Sequence, residues 1–550
     1  MAAVTVATGS VVLLTGSAAS VKAFPEAEGF GVDTAGGRGG KVIRVTSLSD
    51  SGPGTLRACM IASGPRICVF SVAGTIALQS SIEVSNPFLT VAGQTAPGGG
   101  ITIRSAGTNE AAVRIKTHDV VYRYMRHRPG TAIQDVHNIG VNAGGTASGT
   151  NAAHNVVFDH VSVSWSGDEM VIFYALTHDV TMQHSLVAES LPAENLATAM
   201  KGFVLGSDNN PGSYTLHHNL VAHNNQRNPN VDIAGTLDWV NNVVYNWNFS
   251  GANLKLSPKV NFVGNYVKPG PNTKQSKTYV KLTTFNGGYF LSGNYADVGA
   301  TFAPGPGVGS RYDAPQVTTD SAQAAYAKVL DDAGNSRGLD CAGSWFSRRD
   351  TVDARIVQSV KDGTRGHSLD PSINQGYIRS PADVGGWPAL AAGTPCEDDD
   401  LDGMPNVWER TQGLDASNSD DSAADKDGDG YTNIEEYLNG PSGSAPPPPP
   451  PTTTEPPPTT TEPPPTTTEP APACPTSGAL ALRIVSQTAT TITLGWDPVP
   501  GADGYRFSSS QSTKRTNTWN GGASSVKFSK GASCYGVEAL NVVQRGSHSP

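Results

Sequence analysis

Two short acidic segments offer the clearest chemistry in the chain. Asp398, Asp400 and Asp402 alternate along the first, Gly403 follows, and Asn406 and Glu409 stand further on. Twenty-seven residues later the same spacing returns as Asp425, Asp427, Asp429, Gly430, Asn433 and Glu436. Numbered as a loop, each set places acids at positions 1, 3 and 5, glycine at 6 and glutamate at 12. Alternating carboxylates, a glycine turn and a glutamate able to bind through both oxygens make an oxygen cage for calcium. From Glu397 to Glu436 the chain carries 14 acids against two bases, a density that repels itself unless a cation is held. The pair is expected to bind structural calcium and to rigidify the segment. Six cysteines fall into three local groups: Cys59 with Cys68, Cys341 with Cys396, and Cys474 with Cys534. None has the Cys-x-x-Cys spacing of a zinc site, and one pair per segment fits disulfides made in an oxidising compartment.

These segments punctuate 550 residues that include 61 Gly and 39 Pro, with 37% hydrophobic and 16% charged residues. Such a polar, turn-rich composition excludes a coiled coil or a helical bundle, and recurring Val, Ile and aromatic residues exclude full disorder. No run of about 20 apolar residues is present, so no membrane span is expected. The net charge of −10 resides in the acidic segment. The near-neutral remainder would not repel a polyanion, and it lacks the basic, aromatic-interleaved stripe of a nucleic-acid binder. Residues 1–23 are signal-like, with apolar Val11 and Leu14 and a small-residue site at Val21-Lys22-Ala23, but no basic residue precedes Lys22. A secreted monomer is expected.

The first 300 residues repeat one unit, a period-2 strand, a polar pair and a second strand. It recurs at 118–125, 154–161, 178–185, 214–220, 237–245 and 260–266. Starts at 119, 155, 179, 214, 237 and 260 are spaced 36, 24, 35, 23 and 23 residues apart. A rung of about 23 residues, with extra residues looped out of some turns, predicts a parallel β-helix, because each rung exposes edges that only stacking satisfies. Asn219, Asn242 and Asn265 recur at a turn, where asparagine suits left-handed backbone and can form a ladder. Helices are predicted over 321–333, with Ala325, Val329 and Leu330 on one face, and over 351–361, with Val352, Ile356 and Val360. They are expected to cover the β-helix, tied by Cys341–Cys396. Residues 446–470 are almost pure Pro, Thr and Glu, a polyproline II spacer. The last segment alternates like strands, and 496–505 resembles part of a fibronectin type III sandwich. The expected organisation is 1–23 signal-like, 24–396 β-helix with helical cover, 397–440 EF-hand-like calcium loops, 441–473 linker, and 474–550 sandwich.

A resemblance sharpens this outline. Phe24-Pro25-Glu26-Ala27-Glu28-Gly29-Phe30-Gly31 precedes Gly36-Gly37-Arg38-Gly39-Gly40-Lys41-Val42 and Asp50-Ser51-Gly52-Pro53-Gly54-Thr55-Leu56-Arg57. Further on stand Val91-Ala92-Gly93-Gln94-Thr95-Ala96-Pro97-Gly98, Arg126-His127-Arg128-Pro129-Gly130, Phe158-Asp159-His160, Ser164-Trp165-Ser166-Gly167-Asp168-Glu169 and Arg227-Asn228-Pro229. In type and order these motifs, over 24–395, resemble the pectate lyase family, all-β right-handed parallel β-helices. The resemblance implies β-elimination on an acidic polysaccharide, with calcium as cofactor. A base removes the C5 proton, and calcium neutralises the uronate carboxylate beside it. It implies Arg227 and Lys201 as catalytic cations, and Asp168, Glu169 and Glu189, with Asn138 from the preceding rung, as calcium ligands. Arg126, His127 and Arg128 are candidate binders of substrate carboxylates. An arginine base needs a strongly cationic surround, because guanidinium otherwise stays protonated.

Two positions depart from the family pattern. Asp232 stands where Arg-x-Pro-x-x-Arg ends in arginine, and Ile172 stands where a second acid is usual, four residues after the first, with Glu169 as its neighbouring substitute. Two other readings stay open. A non-catalytic carbohydrate-binding β-helix would share the repeat, although Lys201 and Arg227 favour catalysis. A β-helix glycoside hydrolase needs two or three carboxylates around the scissile bond, and its Asn-Thr-Asp and Gly-His-Gly motifs are absent.

Overall fold

The computed structural model describes residues 21–107, 113–130, 138–142, 152–192, 200–370 and 376–440, and five strands beyond residue 482. Residues 1–20, the linker and the Cys474–Cys534 pair lie outside the described residues. The chain divides into two units, Met1–Pro450 and Pro451–Pro550.

In the first unit, short strands stack in parallel into ten-, eight- and nine-stranded sheets, a right-handed parallel β-helix of about eight turns. Alternation places every second side chain inside. Val120, Val156, Val180, Tyr214, Leu237 and Val260 stand in register as one buried column, and Tyr122, Phe158, Met182, Leu216, Trp239 and Phe262 as the next. The aligned rungs are therefore 34 residues apart, not 35, between the third and fourth repeats. The corner that follows differs from expectation by one residue as well. The left-handed backbone belongs to Tyr124, His160, His184, His218, Asn241 and Gly264, the last three of which stand just before the asparagines. Three of these side chains are histidines whose rings stack 5.0 and 5.1 Å apart, His160 on His184 on His218. The asparagines do form a ladder. The backbone N–H groups of Asn219, Asn242 and Asn265 donate to the next side-chain oxygen, of Asn242, Asn265 and Asn294, at 3.0, 2.9 and 3.0 Å. Their amide groups donate to Met182, Leu216 and Trp239 carbonyls at 2.8–2.9 Å, so each stitches neighbouring rungs.

The opening motif has a physical role. Its backbone crosses the ten-stranded sheet, with Phe30 and Gly31 N–H groups donating to Thr215 and Thr181 hydroxyls at 3.1 Å. A β-carbon on Gly31 would lie 2.4 Å from the Val156 carbonyl oxygen, so only glycine permits the crossing.

Two helices cover the nine-stranded sheet. α2 (Ala322–Asp332) is capped by Ser321, and α3 (Thr351–Asp362) by Asp350, which accepts Val352 and Asp353 N–H groups. Their predicted apolar faces are buried against Leu186, Leu220, Val243 and Tyr245. The Cys59–Cys68 and Cys341–Cys396 bridges are formed. Two shorter helices, α4 (Asn406–Gln412) and α5 (Asn433–Asn439), follow the acidic loops. Met404, Trp408, Ile434, Tyr437 and Leu438 pack directly on Ile67, Val69 and Ala92 of the β-helix. No helix among the described residues is long and apolar enough to cross a membrane. The second unit contains a three-stranded antiparallel sheet (Arg483–Gln487, Thr491–Gly495, Ser525–Ser529) and a two-stranded one (Gly504–Ser509, Tyr535–Leu540).

The stacked and interior histidines make the fold sensitive to acid. Burial lowers His127 and His184 to about 3 and His223 to about 4. The unfolded chain binds protons on these groups below about pH 6.5 and the fold does not, so stability rises with pH across that window, by up to about 1.4 kcal/mol per pH unit for each. His160 runs the other way. Burial alone would lower it, but the charges of Asp159 and Asp332 outweigh burial and raise it. His217, His218 and His367 are lowered by burial as well, so the lowered histidines outnumber His160. Saturating calcium would remove the opposing proton uptake of the raised Asp402, Glu409 and Glu436 carboxyls. In calcium-saturated protein the urea midpoint should therefore fall steadily from pH 7 to pH 4. A flat profile would show that these histidines are not held neutral.

Candidate active site

The eight-stranded sheet turns one face away from the core, and four charged side chains meet there. Glu169 begins the strand Glu169–Tyr174 and lies in register with Lys201, the first residue of Lys201–Asn210. Lys201 Nζ contacts Asp168 and lies 3.4 Å from Glu169. Arg227 arrives from the next rung and pairs with Glu169. Both acids are almost fully buried, whereas the Arg227 side chain is 29% exposed and can reach a ligand. Burial, and then the charge of Glu169, push Asp168 up to about 6 against the opposing pull of Lys201.

The backbone around Arg227 is built to hold it there. Arg227 sits in left-handed backbone (φ 60°), followed by a cis Asn228–Pro229 bond. Its carbonyl accepts the Phe203 N–H at 2.7 Å. A β-carbon on Gly202 would stand 2.6 Å from that carbonyl oxygen, so glycine after Lys201 lets the two cation-bearing rungs close up. Asn224 and Asn228 brace the turn from inside. The Asn224 amide donates to the Val187 carbonyl and to Asn228, and the Asn228 amide donates to the Asn224 carbonyl. Sequence reasoning passed over both, although the Asn224-Asn225 pair just ahead of Arg227 was a visible signal.

The other expected site residues lie elsewhere. Glu189 occupies a buried corner of the β-helix, where Arg355 binds it through both oxygens at 2.6 and 2.7 Å and Trp165 donates at 3.1 Å. Burial alone would raise Glu189, but Arg355 outweighs it, so the carboxyl stays below its usual range and is already neutralised. Asn138 is fully buried, its amide donating to the His127 and Ser164 carbonyls; it laces rungs together instead of facing a metal. Arg126, His127 and Arg128 are fully buried too. Arg128 pairs with Asp350 and Asp353, and Arg126 donates to the Gly99, Asn335 and Arg348 carbonyls. His127 Nε2 lies 2.7 Å from the Tyr122 hydroxyl. This motif anchors the helical cover, and no carboxylate of a polymer can reach it. Ile172 faces outward beside Gly140 and Val204, an apolar strip where an acid was expected.

Asp168 and Glu169 fit a hard divalent cation by their chemistry. They are two adjacent oxygen donors, and the repulsion that raises Asp168 is what such a charge relieves.

In the acidic segment Asp398, Asp400 and Asp402 converge, as do Asp402, Glu409 and Asp421, and separately Asp425, Asp427 and Asp429. Burial, then Asp429 and Asp427, raise Glu436 to about 7. Asn406 and Asn433 act as braces, their side-chain oxygens accepting Asp399 and Lys426 N–H groups at 3.0 and 3.3 Å. Asp421 was missed because it sits between the loops, outside the motif positions.

Fold and site together define a parallel β-helix carrying a mixed-charge cluster on an outward sheet face. The chain is 33% identical over 437 residues to a probable pectate lyase C of Aspergillus fumigatus, covering 76% of this chain and 93% of that protein. It is 34% identical over 434 residues to the Aspergillus flavus protein described in the same words, covering 76% and 93%. The chain belongs to the pectate lyase family, and it is a polysaccharide lyase. No protein-family model matches it. Among solved structures, jun a 1, the major allergen from cedar pollen, aligns at TM-score 0.46 and 17% identity over 56% of this chain and 92% of that one. Pectate lyase Bsp165PelA from Bacillus sp. N165, in complex with trigalacturonate, aligns at TM-score 0.41 and 18% identity over 55% and 95%.

Removing one partner of a buried ion pair costs about 3–5 kcal/mol. Arg128→Ala takes the nearest partner from Asp350 and Asp353 and leaves them only Arg126, at 3.3 and 4.0 Å. Its melting temperature should therefore fall sharply while KM for polymer in the folded fraction stays unchanged. A raised KM with normal stability would return Arg128 to the substrate site.

Proposed function

We infer that this protein is a secreted, calcium-dependent pectate lyase that cleaves pectate by β-elimination, leaving 4,5-unsaturated ends. The Asp168–Glu169–Lys201–Arg227 cluster carries the reading, because it brings both cations and an oxygen-donor pair to one outward face.

The outward column on that face gives the direction a polymer would take, its middle residues Ile172, Val204 and Asn230 buried and Lys281 at one end exposed. Arg114, Gly140, Ile172, Val204, Asn230, Asn253 and Lys281 follow one another in register. At about 4.8 Å per strand this column runs roughly 29 Å, with a cation at each end. A polyuronide laid along it meets the cluster midway. Lys201 then binds the carboxylate beside C5 and stabilises the enolate that develops there. Arg227, in its neutral form, takes the C5 proton, and the freed electron pair forms the C4–C5 double bond. The C4–oxygen bond breaks with its electron pair on the leaving oxygen, which takes a proton from solvent, so no water is added across the cleaved bond. Calcium held by Asp168 and Glu169 would neutralise the uronate and acidify that proton. With both acids engaged as ligands, Arg227 would lose its present counter-ion, Glu169, and stand beside Lys201 and the ion.

The tandem acidic loops read as structural calcium sites. The two small antiparallel sheets support a fibronectin type III-like module beyond the Pro/Thr/Glu spacer. An oxidising, extracellular setting agrees with the two disulfides.

Arg227→Ala should lower kcat by at least about 10²–10³-fold, the scale of one lost transition-state donor, with little change in melting temperature. Arg227→Lys should recover little, since lysine lacks the planar fork. Asp168→Ala should raise the calcium concentration needed for activity. Mass spectrometry should find oligomers without added water; products one water heavier would mean hydrolysis. Near wild-type turnover in Arg227→Ala would sink this assignment.

A further inference from the structure

Five carboxylates converge on the first acidic loop, one more than its motif contains. Asp398 Oδ1, Asp400 Oδ2, Asp402 Oδ2, both oxygens of Glu409 and Asp421 Oδ1 are buried without a hydrogen-bond partner. Glu409 is fully buried, so this is no solvated acidic surface. The other aspartate oxygens are anchored: Asp398, Asp400, Asp402 and Asp421 each accept a backbone N–H, from Gly403, Asp402, Met404 and Asp415. Each aspartate thus gives one oxygen to the backbone and aims the other inward. Arg44, 3.7 Å from Asp398, offsets one of the charges. Six unpartnered oxygens match the six to eight that calcium takes, and an all-carboxylate set disfavours the softer transition metals.

The second loop is built differently. Asp425, Asp427 and Asp429 are exposed, and both oxygens of Asp425 accept N–H groups, from Gly428 and Gly430. None of their oxygens is among the buried, unpartnered ones.

The first loop also lies against the β-helix. A β-carbon on Gly403 would meet Val42 at 2.9 Å and Ile434 at 3.0 Å. The Asp421 carbonyl accepts the Asn433 amide at 2.8 Å, which links it to the start of α5. α5 in turn is bonded to the β-helix, with Gln94 donating to the Leu438 carbonyl and Arg123 to Asn439.

We propose that the first loop holds one calcium ion through Asp398, Asp400, Asp402, Glu409 and Asp421, and that this ion fastens the acidic cap onto the first rungs of the β-helix. The inference rests on reading the loops as calcium sites and makes them unequal. The first is closed and tight, and the second is open and weaker.

Chelator-stripped full-length protein, titrated with calcium by calorimetry, should show a tight equivalent separate from weaker ones. Asp421→Asn should weaken the tight equivalent at least tenfold, Glu409→Gln should abolish it, and Glu436→Gln should leave it intact. Calcium should raise the melting temperature of the β-helix, followed by fluorescence of its buried tryptophans, in wild type but not in Glu409→Gln. Without calcium, Glu409→Gln should melt no lower than wild type, because it removes buried repulsion; a lower melt would overturn the cage. Wild-type affinity in Asp421→Asn would remove Asp421 from it. Tight binding without a rise in melting temperature would overturn the clamp. No difference among wild type, Glu409→Gln and Glu436→Gln would sink the calcium reading of both loops.

Discussion

Everything in this molecule depends on one constraint: a parallel rung cannot satisfy its own backbone. Its N–H and C=O groups face up and down the stack, and only neighbouring rungs pair them. The corners must therefore repeat as faithfully as the strands. One corner does so with a left-handed residue followed by asparagine, whose side chain bonds to neighbouring rungs at once. His160, His184 and His218 occupy that left-handed position and stack in consequence. Their proximity follows from backbone geometry and needs no metal to explain it.

The site grows out of the same constraint. Arg227 is displayed by a left-handed corner, and Gly202 lets its carbonyl approach the neighbouring strand. Lys201 and Glu169 face one another because their strands are in register. A stacked fold brings residues about 30 or 60 positions apart within contact distance, so the four charges meet through the stacking of neighbouring rungs.

Sequence reading recovered what is periodic or motif-bound and missed what depends on burial. The rungs and the two covering helices were legible, because alternation and four-residue spacing are local signals, and the cations proposed at 201 and 227 do come together around Glu169. Arg126-His127-Arg128 misled, since a basic run looks like a carboxylate binder until Asp350 and Asp353, more than 220 residues later, are seen against it. Nothing local to Arg128 announces those partners. Glu189 misled for the same reason, with Arg355 closing on it from α3. The one-residue error at the corner came from matching the visible asparagine in place of the left-handed residue before it.

What separates structural charges from functional ones here is the count of committed partners. Arg128 shares two carboxylates and is sealed from water, so a ligand would have to displace both acids and unpack a helix. Glu189 has both oxygens taken by one guanidinium. Lys201 and Arg227 instead meet acids at the surface, where an arriving cation and polyanion can exchange partners with them. In the function proposed above, a divalent ion would replace the cations on the acids and a uronate carboxylate would pair with Lys201, leaving Arg227 without its present counter-ion Glu169. The acids, the most buried members of the cluster, would keep a cation throughout, and only the more exposed Arg227 would lose its partner, which is the condition for a highly charged site to remain stable.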